Sequence, residues 1–333
     1  MNQTLAFTPT GPRQIDARFR RDMNIIGLIL SLLVVMFIFN AFVSEELKAF
    51  LNPWRGQLSE EDYYSATVLI DAFVYALNFL IPAVILRFAL KTGDKKLLGE
   101  EYASASQAPS EKSKFNIFWS IFLVLLLVEV GATISGAVLD WFYSIGFDFY
   151  IRFELKVPTG VFGVIAHTIS VAVMPAVFEE LLFRGCVQGA LRRYGAAFAI
   201  FASAVVFALM HCTVQQFLYA FCAGLGLGWL TYSTGRLWPA VLCHFINNGI
   251  SVAYDYIYTY AGEFAYMISY VAITAVILIL GVIGLIFVIR GGGDISEGSR
   301  QSRPSVLLRR AFVPGIVIYL VLVALLTILV VAP

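Results

Sequence analysis

The sequence predicts an all-α polytopic membrane protein of about nine transmembrane helices, with eight as the lower count. Three observations predict it. Of 333 residues, 59% are apolar and 14% charged, against about 25% charged in an ordinary soluble domain, and the mean hydropathy is +0.81. The apolar residues gather in runs near the roughly 20 residues that span a bilayer as one helix. The short segments between runs alternate in charge, as expected of a chain threaded back and forth through a membrane. Soluble enzyme folds are excluded on this composition. A net charge of +1 and a pI near 7.6 carry no polyanion-binding signal, so nucleic acid is not an expected partner. The four cysteines, Cys186, Cys212, Cys222 and Cys243, lie in or beside apolar runs without CxxC spacing; they read as small buried hydrophobes.

Residues 1–23 form a tail with Arg13, Arg18, Arg20 and Arg21, expected in the cytoplasm. The first run, 24–43, reads as an anchor rather than a cleaved signal, since no small-residue cleavage site follows it. Glu45, Glu46, Glu60, Glu61 and Asp62 lead to 68–90; Lys91, Lys95, Lys96, Lys112 and Lys114 lead to 115–139; the mixed stretch 140–156 leads to 161–191. Arg192 and Arg193 precede runs 196–210 and 217–232, and Arg236 precedes 239–260 and 264–289. The Gly-Gly-Gly-Asp stretch at 291–294, followed by Arg300, Arg303, Arg309 and Arg310, reads as a mobile basic cytoplasmic loop over 290–310, before the last run at 311–331. Nine crossings place every basic segment on the cytoplasmic side. Trp54, Trp119, Trp141 and Trp238 stand near run ends, where indole prefers the headgroup region. The expected organisation is the tail 1–23, amino-terminal transmembrane helices over 24–160, a polar-bearing core over 161–260 and carboxy-terminal helices over 261–333. No internal repeat is evident.

An ionised side chain at the bilayer centre costs about 2.5–3.5 kcal/mol on insertion scales, so charges within runs are candidate functional groups. Glu179, Glu180 and Arg184 stand in the sequence FEELLFRG. Glu180 and Arg184 are four apart, so they share a helical face and can pair, which leaves Glu179 about 100° away with its own surroundings. His211 is the strongest ionisable group in a stretch, 194–235, without Asp, Glu, Lys or Arg. His244 and Asn248 are again four apart; of 3 histidines, two lie in these places. At about 1.5 Å per residue, Glu179 and His211 reach about 20–27 Å from the same border and can meet, whereas His244, five residues past Pro239, lies only about 8 Å deep. The two depths conflict.

These residues spell EExxxR (Glu179, Glu180, Arg184), FxxxH (Phe207, His211) and HxxxN (His244, Asn248), in that order. The pattern resembles the CPBP family (CAAX protease and bacteriocin-processing, or Abi) of intramembrane endopeptidases, over about 161–260. The resemblance implies hydrolysis of a peptide bond in an intramembrane cavity. Eukaryotic members remove the last three residues of a prenylated carboxy-terminal tail; some prokaryotic relatives are linked with bacteriocin maturation or self-immunity. A bacterial cytoplasmic membrane is the expected location, with membrane lipids and a peptide or membrane-protein substrate as partners and no particular oligomeric state indicated. On this resemblance Glu179, aided by His211, activates water, His244 and Asn248 hold the oxyanion, and Glu180 with Arg184 is a scaffold pair. An alternative holds a divalent metal such as zinc on Glu179, His211 and His244; HExxH is absent, and both chemistries stay open. Other readings are a non-catalytic scaffold or bacteriocin-immunity factor, and a small-solute transporter, the last weakened by the lack of repeats.

The remaining polar groups take plainer readings. Asn247 is expected to join helices, and Phe183 and Phe207 to pack. His167 lies about 18 Å along the helix from Glu179. Asp71, Asn78, Arg87, Glu129 and Asp255 are expected to pair across helices or line the cavity. The run Ala-Gly-Leu-Gly-Leu-Gly at 223–228 suits close helix packing, and the arginines of 300–310 suit topology or anionic lipid.

Overall fold

A computed structural model describes residues 12–90, 117–151, 156–290 and 304–331. Helix α1, Pro12–Lys48, ends in a short 3-10 turn, Ala49–Trp54. Helix α2 is Glu60–Leu90, with Glu60, Glu61 and Asp62 in its first turn, where free amide groups favour negative charge. Then follow α3, Ile117–Ser144; α4, Gly160–Tyr194; α5, Ala196–Met210; α6, Val214–Thr234; α7, Trp238–Arg290; α8, Pro304–Arg310; and α9, Pro314–Val331. No strand occurs among the described residues. Proline opens α1, α8 and α9, the first helical position, where the missing N–H has no partner to lose.

Among the described residues, 5 helices can cross a membrane by length and composition: Asp16–Trp54, α2, α3, α4 and α7, while α5 and Pro314–Leu329 of α9 are shorter apolar helices. The expected apolar runs fall on these helices except 217–232, which falls on α6. Runs 239–260 and 264–289 share α7, which breaks at Gly262 with φ 81° and ψ 178°, a backbone open to glycine and strained for other residues. The loop expected over 290–310 is corrected in part. Residues 304–310 are helical, with Leu307 buried and Arg310 ion-paired to Asp16 at 3.1 Å; residues 291–303 lie outside the described part.

Two apolar clusters hold the helices together. One joins α1, α2, α4, α5 and α9 through Phe19, Leu30, Phe79, Phe183, Phe198 and Tyr319. The other joins α3, α6 and α7 through Ile121, Val124, Leu227, Leu230 and Cys243. Helix α4 runs parallel to α6: Arg184 and Gln188 donate to the carbonyls of Gly224 and Gly228, 3.4 and 2.9 Å away. Helix α5 returns between them, its Ser203 hydroxyl donating to Phe183 O at 2.9 Å. The glycines at 224, 226 and 228 allow this approach, since a Cβ at each would stand under 3.0 Å from Ala204, Val124 and Gln188 respectively. Near the amino-terminal end of α1, the buried Asp22 accepts from Tyr194 at 2.6 Å and pairs with Arg21 at 3.0 Å and Arg193 at 3.5 Å.

Helices α1 and α9 cross where Gly27 and Gly315 face each other. A Cβ on Gly315 would lie 2.2 Å from the Asn24 carbonyl oxygen and one on Gly27 2.3 Å from Gly315 backbone, so the helix axes cannot keep their separation with a side chain there. Gly315→Val is expected to cost about 1–3 kcal/mol by overpacking. A lowered thermal unfolding midpoint in detergent checks this; an unchanged midpoint contradicts the crossing.

Candidate active site

The α4 residues that carry EExxxR lie in a helix that departs twice from α geometry. Residues 169–173 and 181–188 close wider, π-type turns, a feature often found beside functional sites. Pro175 has no N–H to give the carbonyl four residues back, so Val171 O is released from the helix. That carbonyl accepts from Asn248 Nδ2 of α7 at 3.0 Å. A proline on one helix thus positions the asparagine of another.

Glu180 and Arg184, both 0% exposed, pair at 2.7 Å. The same carboxylate oxygen, Oε1, accepts from His244 Nδ1 at 2.9 Å. His244 therefore reaches the level of the glutamates despite its nominal shallowness. The wide turn at 181–188 advances less per residue than an α turn and shortens the path from Arg192 up to Glu180. The Arg184 guanidinium stacks on the Phe207 ring at 4.2 Å. Phe207 also meets the rings of Phe183, His211 and His244 edge-on, with centroids 5.2, 5.1 and 6.3 Å away. It packs, as expected, but at the point where all three motifs join.

Glu179 is 4% exposed and faces a cavity of about 650 Å³ that lies between the two apolar clusters. His211, His244, Asn247 and Asn248 line the same cavity. Glu180 and Arg184 sit behind it. His211 Nδ1 lies 3.0 Å from Phe207 O, which only accepts, so Nδ1 carries a proton and neutral imidazole presents the Nε2 lone pair. Cys212, next in the chain, has φ 52°, and this turn out of α5 places His211 at the cavity wall. Asn247 donates to Tyr219 Oη at 2.7 Å and to Asn248 Oδ1 at 3.0 Å, so it orients Asn248 besides joining helices.

Among the described residues no group of three or more His, Cys, Asp or Glu side chains able to hold a metal ion is found. His244 is turned by Nδ1 to Glu180 and Glu179 by Oε1 to the hydroxyl of Tyr75.

Asp71, Asn78, Glu129, His167 and Asp255 do not line the cavity, whereas Asn247 and Phe207 do. Asp71 pairs with Lys48 at 3.0 Å, Glu129 accepts from Thr274 at 2.7 Å, Asn78 donates to Asn40 at 3.3 Å and His167 meets Asp255 at 3.0 Å. Sequence reasoning missed Tyr75 and Tyr219. Neither ionises near neutral pH nor sits in a motif; a hydroxyl inside an apolar run was the available signal.

One buried carboxylate, two histidines and an asparagine amide thus gather at one cavity, with a second buried carboxylate behind it. Residues 161–250 match the Rce1-like family, type II CAAX prenyl endopeptidase Rce1-like. The match is consistent with the CPBP family and implies a protease of the CAAX type in an integral membrane protein. No curated protein and no solved structure matches the chain. The Rce1-like segment holds all three motifs and spans α4, α5, α6 and the start of α7. Helices α1, α2, α3 and α9 lie outside it, yet Phe37, Tyr75, Val124 and Leu326 from these four helices also line the cavity.

Proposed function

We propose that this protein is an intramembrane endopeptidase that hydrolyses a peptide bond of a membrane-associated peptide or protein by glutamate-activated water. The observation that carries the reading is the opening of Glu179, His211, His244 and Asn248 onto one cavity, with Glu180 and Arg184 buried behind them. Glu179 takes a proton from water, and the resulting hydroxide adds to the substrate carbonyl carbon. His211, through Nε2, holds or relays that proton. The tetrahedral oxyanion accepts from the Asn248 amide and from His244 Nε2–H. To donate there His244 must carry both ring protons, and the Glu180 carboxylate 2.9 Å from Nδ1 is the counter-charge for that form. The C–N bond then breaks, the proton held by Glu179 passes to the leaving amine, and a carboxylic acid and an amine result.

A membrane-spanning arrangement of about nine helices, the amino terminus in a bacterial cytoplasm and the basic segments on that side, completes the proposal. The apolar runs and their charge alternation support it. The test is incubation of protein in lipid nanodiscs with quenched peptides, among them a farnesylated CAAX tail, with products identified by mass. New amino and carboxyl termini are expected. Binding without cleavage favours the scaffold or immunity reading, and uptake of solute into vesicles favours a transporter. With water activated by Glu179 rather than by a metal, cleavage is expected to survive dialysis against a chelator. Activity lost to the chelator and restored by zinc contradicts the metal-free chemistry.

A further inference from the structure

Glu179 Oε1 accepts the hydroxyl hydrogen of Tyr75, which stands on α2, more than eighty residues before the Rce1-like segment begins. The other oxygen, Oε2, is buried and has no hydrogen-bond partner among the described residues. We propose that Tyr75 is the positioning residue of the general base: its O–H holds the Glu179 carboxylate so that Oε2 is the oxygen offered to the hydrolytic water. The inference rests on the peptidase reading above.

The terminal torsion of a glutamate is broad and nearly two-fold, so a carboxylate at a cavity wall exchanges its oxygens unless one is held. Tyr75 holds one. The tyrosine is itself held: its ring packs on Phe79 with centroids 4.8 Å apart and on Phe37 at 6.0 Å. Both rings belong to the apolar cluster that joins α1 and α2 to α4. Helix α2 touches α4 again where Cys186 Sγ lies 3.5 Å from Ala83 O. The hydroxyl is therefore placed by packing rather than by the carboxylate it serves. A buried oxygen left without a partner is costly to a fold, and Glu179 lines the same cavity as His211, whose Nδ1 is engaged by Phe207 O. The two groups that handle the water proton are thus oriented by acceptor and donor contacts behind them, Phe207 O for one and Tyr75 O–H for the other.

Tyr75→Phe removes the hydroxyl and keeps the ring. Two readouts test it: kcat and KM on the farnesylated quenched peptide, and the infrared carboxyl band of Glu179, assigned by its loss in Glu179→Gln. The expected result is a fall in kcat of about 10- to 100-fold, as for other small misplacements of a reacting group. KM should stay within about twofold, because the hydroxyl is not placed to hold substrate. The Glu179 band is expected to move while the thermal midpoint holds. Turnover equal to wild type, a loss confined to KM, or an unmoved band overturns the inference and leaves the peptidase reading standing. A wild-type protein that cleaves no probe overturns that reading and this inference together.

Discussion

Glu179→Gln is expected to lower peptide cleavage by about 100- to 10,000-fold, the usual contribution of a general base, while leaving the fold intact. The substitution is close to isosteric. Its amide oxygen can still accept from the Tyr75 hydroxyl, and the Glu180–Arg184 pair behind it is untouched. What it lacks is the ability to take a proton from water. Cleavage of the quenched peptides and thermal unfolding of the same nanodisc preparation measure the two halves. An active Glu179→Gln removes Glu179 from the chemistry, and a variant that is inactive because it unfolds says nothing for it. His211→Ala is expected to fail similarly in turnover, since it removes the Nε2 lone pair at the same cavity.

Arg184→Leu has the largest expected effect on stability. Arg184 and Glu180 are both 0% exposed and pair at 2.7 Å. Removing the guanidinium leaves a buried carboxylate with only a histidine as partner, and one-sided loss of a buried ion pair costs about 3–5 kcal/mol. The stacking on Phe207 is lost as well. Thermal unfolding should show a large drop. The informative companion is the double variant Arg184→Leu/Glu180→Leu. Replacing a whole buried pair with apolar side chains is often close to neutral, so the midpoint should recover much of the loss. Cleavage should not recover, because His244 no longer has an acceptor at Nδ1 and turns free at the cavity wall. Recovery of both stability and cleavage would show that Glu180 does nothing for His244.

Much of this architecture was legible in the residues because lipid imposes a simple rule: backbone groups must be satisfied within each segment, so apolar runs become helices. Runs as different as 68–90 and 196–210 appear as α2 and α5 for that reason. The pairing of Glu180 with Arg184 was also legible, since a four-residue spacing places two side chains on one face. The level of His244 was not. Straight-helix arithmetic set it too shallow because it measures each residue from the end of its own run and says nothing of how those ends are staggered once the helices pack; the wide turn at 181–188 closes only part of the gap. The helical stretch at 304–310 was hidden by an arginine-rich composition that reads as linker; its start at Pro304 and its buried Leu307 become meaningful only against the helices it touches.

The sequence by itself determined the all-helical class, the segments that carry charge into apolar surroundings, and three motifs that all fall within 161–250, the segment that matches the Rce1-like family. These are local properties, set by composition and by spacing along one helix. Only the tertiary structure decided which groups meet. Asn248 finds Val171 O because Pro175 frees that carbonyl, His244 finds the oxygen already held by Arg184, and Tyr75 arrives from a helix outside the motifs to hold Glu179. Contacts between helices distant in the chain depend on their relative rotation and depth, which small residues such as Gly224 and Gly315 set through close packing. No spacing along a single segment encodes that arrangement, because it belongs to the packed bundle as a whole.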